Sequence, residues 1–65
     1  MNNKQVKPDF YSLREVANIL NFSYSNIRIM VIAGEIPAYR ISKRYRVAVK
    51  DLEQYIDQSK VRIKS

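Results

Sequence analysis

The chain has 65 residues, twelve lysines and arginines against six aspartates and glutamates, a net charge of +6, and neither cysteine nor histidine. That length allows one small domain with one core, near the lower limit for a chain that folds alone. Without cysteine or histidine, a disulfide, a zinc finger and the commonest general base are excluded, and no metal or cofactor is expected.

The six carboxylates are scattered, and no glycine-rich phosphate loop is present, so no catalytic constellation can be assembled and the chain is not expected to be an enzyme. A surplus of positive charge favours a polyanionic partner, and the placement of the charge must say which. There is no run of 18 apolar residues, and the first residues lack the apolar segment of a secretion signal. The expectation is a cytoplasmic protein without a membrane partner.

Residues 1–10, mostly polar and carrying Pro8, read as a flexible lead-in, with structure beginning at Tyr11. Ser12 followed by Glu15 is a capping-box pattern, and Leu13, Val16, Ala17 and Leu20 at spacings of three and four predict a helix ending near Asn21. Tyr11 and Val16 would close a hydrophobic staple over its start. Ser23 is the next N-cap, and Ile27, Met30 and Val31 repeat the helical spacing as far as Gly34, which predicts a second helix over about 24–33. The short link at Asn21 and Phe22 suits a helix-turn-helix, with Phe22 filling the angle.

The pattern then changes to period two. Ile36 to Val47 holds four basic residues and two tyrosines with no acid among them, which predicts a basic β-hairpin. Tyr39, Ile41, Tyr45, Val47 and Val49 would share one face, Arg40 and Arg46 the other, with Ser42, Lys43 and Arg44 at the tip. Leu52, Tyr55 and Ile56 mark a third helix, with Asp51 and Glu53 in its first turn, where the helix dipole favours negative charge. Residues 59–65 form a basic tail that alternates cations with β-branched residues.

The fold expected is mainly α with a small β-hairpin, a winged helix-turn-helix in the order α-turn-α-β-β-α, over residues 11–58. The residues Tyr11-Ser12-x-x-Glu15-x-Ala17-x-x-Leu20, Ser23, Ile27, Gly34-x-Ile36-Pro37-Ala38-x-Arg40-Ile41-x-Lys43-x-Tyr45-Arg46-Val47 and Leu52-x-x-Tyr55-Ile56 resemble the excisionase family of small winged helix-turn-helix proteins, related to the MerR-type DNA-binding domain. The resemblance covers about residues 11–57. It implies binding to double-stranded DNA, with the second helix in the major groove and the hairpin wing on the backbone or adjacent minor groove. The chain departs from the family at Ser42, usually glycine, at Lys50, often a capping serine or aspartate, and at Ile29 and Ile32, often basic or polar.

On this reading Tyr24, Ser25, Asn26 and Arg28 face the major groove, where asparagine and arginine can make bidentate contacts with adenine and guanine. Arg40, Ser42, Lys43, Arg44 and Arg46 form the wing contacts to phosphates or a narrow minor groove. Five cations lie between Arg40 and Lys50 with no acid among them, whereas the third helix gathers Asp51, Glu53 and Asp57, so the charge is segregated. Ile29 and Ile32 have more than one reading: packing on the wing or third helix, an interface for another copy or a partner protein, or, for Ile29, contact with a thymine methyl.

The resemblance implies a sequence-specific architectural protein of a phage or other mobile element. Such a protein binds adjacent sites cooperatively, bends DNA and assists a site-specific integrase in excision. The alternatives are a transcriptional regulator or a replication or transfer accessory of the same fold, and a protein-interaction adaptor.

Overall fold

A computed structural model of the chain describes residues 9–61. Its elements in chain order are β1 (Phe10–Ser12), α1 (Leu13–Leu20), α2 (Tyr24–Ile32), β2 (Tyr39–Ile41), β3 (Arg44–Ala48) and α3 (Val49–Gln58). The strands form one antiparallel sheet in the order β1-β3-β2. The fold is a winged helix-turn-helix, mainly helical, with one strand more than the α-turn-α-β-β-α order. The N-terminal lead-in expected over 1–10 and the tail over 59–65 fall largely outside the described residues.

Local chemistry sets the helix boundaries. At the start of α1 the Glu15 backbone N–H donates to Ser12 Oγ at 3.1 Å, and the Ser12 N–H donates to Glu15 Oε1 at 2.7 Å. Both halves of the capping box are therefore made. Asn21, at φ 60°, ends α1 in the left-handed region, and the Phe22 N–H closes back onto Ala17 O at 2.9 Å. Ser23 then caps α2 by accepting from the Asn26 N–H at 3.1 Å.

Gly34 ends the second helix at φ 83°, with the Glu35 N–H donating to Met30 O at 2.8 Å. A Cβ at Gly34 would meet nothing within 4 Å. The backbone angle therefore accounts for glycine there, and space does not.

The core is apolar throughout: Leu13, Val16, Ala17, Ile27, Val31, Ile36, Val47 and Leu52 are buried, and no polar or charged residue is buried with them among the described residues. Tyr11, Leu20, Met30, Ala38, Tyr45 and Tyr55 pack against this cluster. α1, α2, β3 and α3 each contribute a buried side chain and β1 packs Tyr11 against them, so the helices and the sheet share one core.

Four expectations are corrected. Phe10–Ser12 is a strand, paired Phe10↔Ala48, Tyr11↔Val47 and Ser12↔Arg46, so the ordered fold reaches further toward the N-terminus than Tyr11. Val49 is the first residue of α3 and not the end of a strand; its N–H, one of the donors a helix start leaves without an intrahelical acceptor, donates to Asp9 O at 3.0 Å. Phe22 is 47% exposed and does not fill the interhelical angle.

The fourth concerns the hairpin. Its turn holds two residues, Ser42 at φ 52° and Lys43 at φ 68°, while Arg44 is already in β3 opposite Ile41. Two consecutive positive φ angles are the signature of a type I′ turn, whose twist suits a two-residue hairpin. A three-residue tip would have set Tyr39 opposite Val47 and Ile41 opposite Tyr45. The shorter turn sets Tyr39 opposite Arg46 and Arg40 opposite Tyr45, and a slip of one residue exchanges the faces. Tyr39 and Ile41 consequently lie on the outer face, 52% and 43% exposed, where the Tyr39 ring meets Phe10 edge-on with centroids 5.7 Å apart. Arg40 shares the inner face with Tyr45, opposite to the face that carries Arg46.

Candidate nucleic-acid interface

Arginine and lysine residues of three separate elements border one concavity, with Arg44 and Arg46 at its edge on β3, on the sheet face opposite to that of Arg40. An open groove of about 370 Å³ is lined by Ser12, Leu13 and Arg14 at the start of α1, Tyr24 and Arg28 on α2, and Arg40, Lys43, Arg44, Tyr45 and Arg46 on the hairpin. Six of its ten lining residues are cationic and none is a carboxylate. Like charges gathered this way repel one another in the free protein, and a polyanion seated among them removes that repulsion.

Two tyrosine rings order the guanidinium groups. Arg14 Cζ lies 5.0 Å from the Tyr24 ring centroid, and Arg28 Cζ and Arg40 Cζ lie 5.8 and 5.6 Å from the Tyr45 centroid. These separations are within the range of cation–π attraction, worth about 0.5–1 kcal/mol at exposed sites. Tyr45 thus brings an arginine of α2 and an arginine of the wing to one ring. Because Tyr45 is half-buried against the core, both guanidiniums are referenced to the rigid part of the fold.

The residues singled out in the sequence divide into two groups. Tyr24, Arg28, Arg40, Lys43, Arg44 and Arg46 line the groove; Ser25, Asn26 and Ser42 do not. Ser42 forms the turn that sets the hairpin register. Ser25 and Asn26 are exposed on α2 beside the groove, and two residues at about 100° each put Asn26 and Arg28 on opposite flanks of the helix. Ile29 and Ile32 are 64% and 60% exposed, which rules out their packing on the wing or α3.

Sequence reasoning missed Arg14. A signal was available: it is a cation in the first turn of a helix, where the dipole favours negative charge, on the side away from Leu13, Val16 and Ala17. A residue placed against local preference on an exposed surface asks for a purpose beyond stability. Its distance in sequence from the hairpin hid the convergence.

A second, smaller concavity is lined by Glu35, Pro37, Asp51, Gln54, Tyr55 and Gln58 and shares no residue with the first. Two carboxylates, Glu35 and Asp51, line this second concavity, whereas none lines the first. Among the described residues no helix is long and apolar enough to cross a membrane.

Comparisons with known proteins agree with this architecture. The chain is 38% identical over 45 residues to the Bacillus subtilis (strain 168) protein named "Uncharacterized protein YvgK". That alignment takes in 69% of this chain and 15% of the relative, so the chain spans a small fraction of the length of the curated protein it matches. No solved structure matches. The family model described as a helix-turn-helix domain matches residues 10–60, from the first strand to just past the last helix, and the chain belongs to that DNA-binding family.

Proposed function

We propose that this protein is a sequence-specific, architectural double-stranded DNA-binding protein of the excisionase type, which occupies adjacent sites and assists an integrase in excising a mobile element. The observation that carries the DNA reading is the carboxylate-free groove, whose six cations come from α1, α2 and the wing together. B-DNA presents one negative charge per about 1.7 Å of axis, so a groove of this kind meets several phosphates at once and releases their counterions. Arg28 belongs to the helix that a helix-turn-helix lays in the major groove. In the same reading Arg40, Lys43, Arg44 and Arg46 grip the flanking backbone, with Arg14 added from α1, and Tyr24, Ser25 and Asn26 complete the base-facing end of α2.

The excisionase assignment rests on the resemblance of the Gly34-x-Ile36-Pro37-Ala38 stretch and the hairpin to that family, together with the MerR-like order of elements. No chemistry is assigned to the chain itself. Its work is to hold DNA in a bent path, a deformation that costs of order 1–6 kcal/mol for a modest smooth bend and is offset by phosphate contacts.

One observation favours a second reading. The matched stretch occupies 15% of its Bacillus relative, so this module also occurs within a much longer chain, where its role would be to bring another domain to DNA, as in a regulator.

Mobility shift on tiled duplexes flanking the gene, at about 150 mM salt with excess competitor, separates the readings. Discrete stepwise complexes on repeats near an attachment site are expected. One complex over a promoter would favour a regulator, and absence of any specific shift would overturn the DNA reading.

A further inference from the structure

The outward ridge of α2 is apolar where a solvated helix face would be polar. At about 100° per residue from Ile27, which points into the core, Arg28, Ile32, Ser25 and Ile29 follow at roughly 100°, 140°, 160° and 200°. Ile29 is thus opposite the core, Ile32 lies between it and Arg28, and both are more than half exposed. Core-facing Ile27 and Val31 are buried, so the helix is apolar on both sides, a pattern that normally means cover on both. The occupant of the outward side is indicated by its neighbour: Arg28 borders the ridge and lines the basic groove, so a duplex seated on Arg28 meets Ile32 and Ile29 next. α2 carries no carboxylate to oppose it.

We propose that Ile29 and Ile32 read thymine methyl groups in the major groove, so that the target carries A·T pairs with thymine opposite the outward ridge of α2. This inference rests on the reading of α2 as the groove-facing helix. The C5 methyl of thymine is the one apolar group on the major-groove edge, and apolar side chains are its natural contacts. Isoleucine, stiff at χ1, presents its methyls with little conformational freedom to lose. Cytosine at the same place would offer an amino group with no acceptor on either isoleucine, so thymine is favoured over cytosine by a gain and by a desolvation penalty together.

The test begins with selection from a randomised duplex pool by the full chain. Each thymine of the selected site is then replaced singly by deoxyuridine, which removes only the methyl group. The wild type is expected to lose roughly fourfold in affinity for each methyl buried. Ile29→Ala and Ile32→Ala, both at exposed positions and both favourable to helix formation, should each bind the thymine duplex more weakly and become indifferent to deoxyuridine at one position. Circular dichroism of the two variants checks that the fold is kept.

Equal wild-type affinity for thymine and deoxyuridine sites, with sequence-specific binding intact, would overturn the inference while leaving the DNA reading in place. So would variants that keep the wild-type response to deoxyuridine and lose only the second, stepwise complex, an outcome that assigns the ridge to a neighbouring protein copy. Failure of the pool to yield any enriched duplex would strike the DNA reading itself.

Discussion

The base of the hairpin and its tip follow opposite rules. At the base, Val47 is fully buried, paired to Tyr11, and surrounded by Val16, Ile27 and Leu52 in one apolar cluster. At the tip, Ser42 and Lys43 both hold positive φ without being glycine, at roughly 1 kcal/mol or more each relative to an unstrained backbone. The same division runs through the whole molecule. The capping box of α1, the Ser23 cap and Gly34 all serve stability and obey local preference. Arg14 in a first helical turn, the exposed isoleucines of α2 and the cluster of cations in the groove all go against it. Departures of this kind collect at functional surfaces because selection there acts on binding. Here they collect on α2, the wing and the adjoining end of α1.

That division is sharpest in its largest expected effect. Ile27→Ala empties a fully buried site and should cost about 2–5 kcal/mol, a large part of the stability of so small a domain. A urea titration followed by circular dichroism should show the loss, and an unchanged midpoint would mean the cluster around Ile27 does not hold the fold.

On the groove side the expected losses are in binding. Replacing Arg28 and Arg40 together by glutamine should lower duplex affinity and reduce the slope of log affinity against log salt by about 0.9 for each phosphate no longer neutralised. Stability in urea should fall by no more than about 1–2 kcal/mol, the worth of the two cation–π contacts at Tyr45 less the repulsion between the two cations. A large stability loss would instead make the Tyr45 stack part of the structural core.

The tip allows the two sides to be separated within one residue. Lys43→Gly relieves a strained backbone and should raise stability by roughly 1 kcal/mol, while removing one cation from the groove and weakening DNA binding. Stability and affinity should therefore move in opposite directions; movement together would show that the turn is not strained.

Arg14→Gln is the smallest expected change. Stability should change by no more than about 0.7 kcal/mol, since removing a cation from the positive end of the α1 dipole offsets the loss of its cation–π contact with Tyr24. The salt slope should fall by about 0.9, the share of a single phosphate, and an unaltered slope would remove Arg14 from the interface.

Most of the helical architecture was legible in the sequence because its signals are local. Ser12 with Glu15, Ser23 and Gly34 act within one turn of where they stand, and the three-four spacing of Leu13, Val16, Ala17 and Leu20 identifies the buried face directly. The sheet was less legible. β1 has three residues, too few to show an alternation, and it exists only because β3 supplies its hydrogen bonds. The face assignment of the hairpin depended on whether Arg44 belongs to the turn, which the Ser42-Lys43 pair conceals because neither residue advertises positive φ. The cationic wing was visible as a run of charge, whereas Arg14 joins it only through the packing of α1 beside the hairpin.

The most direct test of the groove as the DNA surface is amide chemical-shift mapping of the full chain on titration with a short mixed-sequence duplex. Shifts should concentrate at Ser12 to Arg14, along α2, and from Arg40 to Arg46, and leave α3 from Glu53 to Gln58 unmoved. Shifts centred on α3, or on the outer face of the sheet at Phe10 and Tyr39, would contradict a DNA surface built from α1, α2 and the wing.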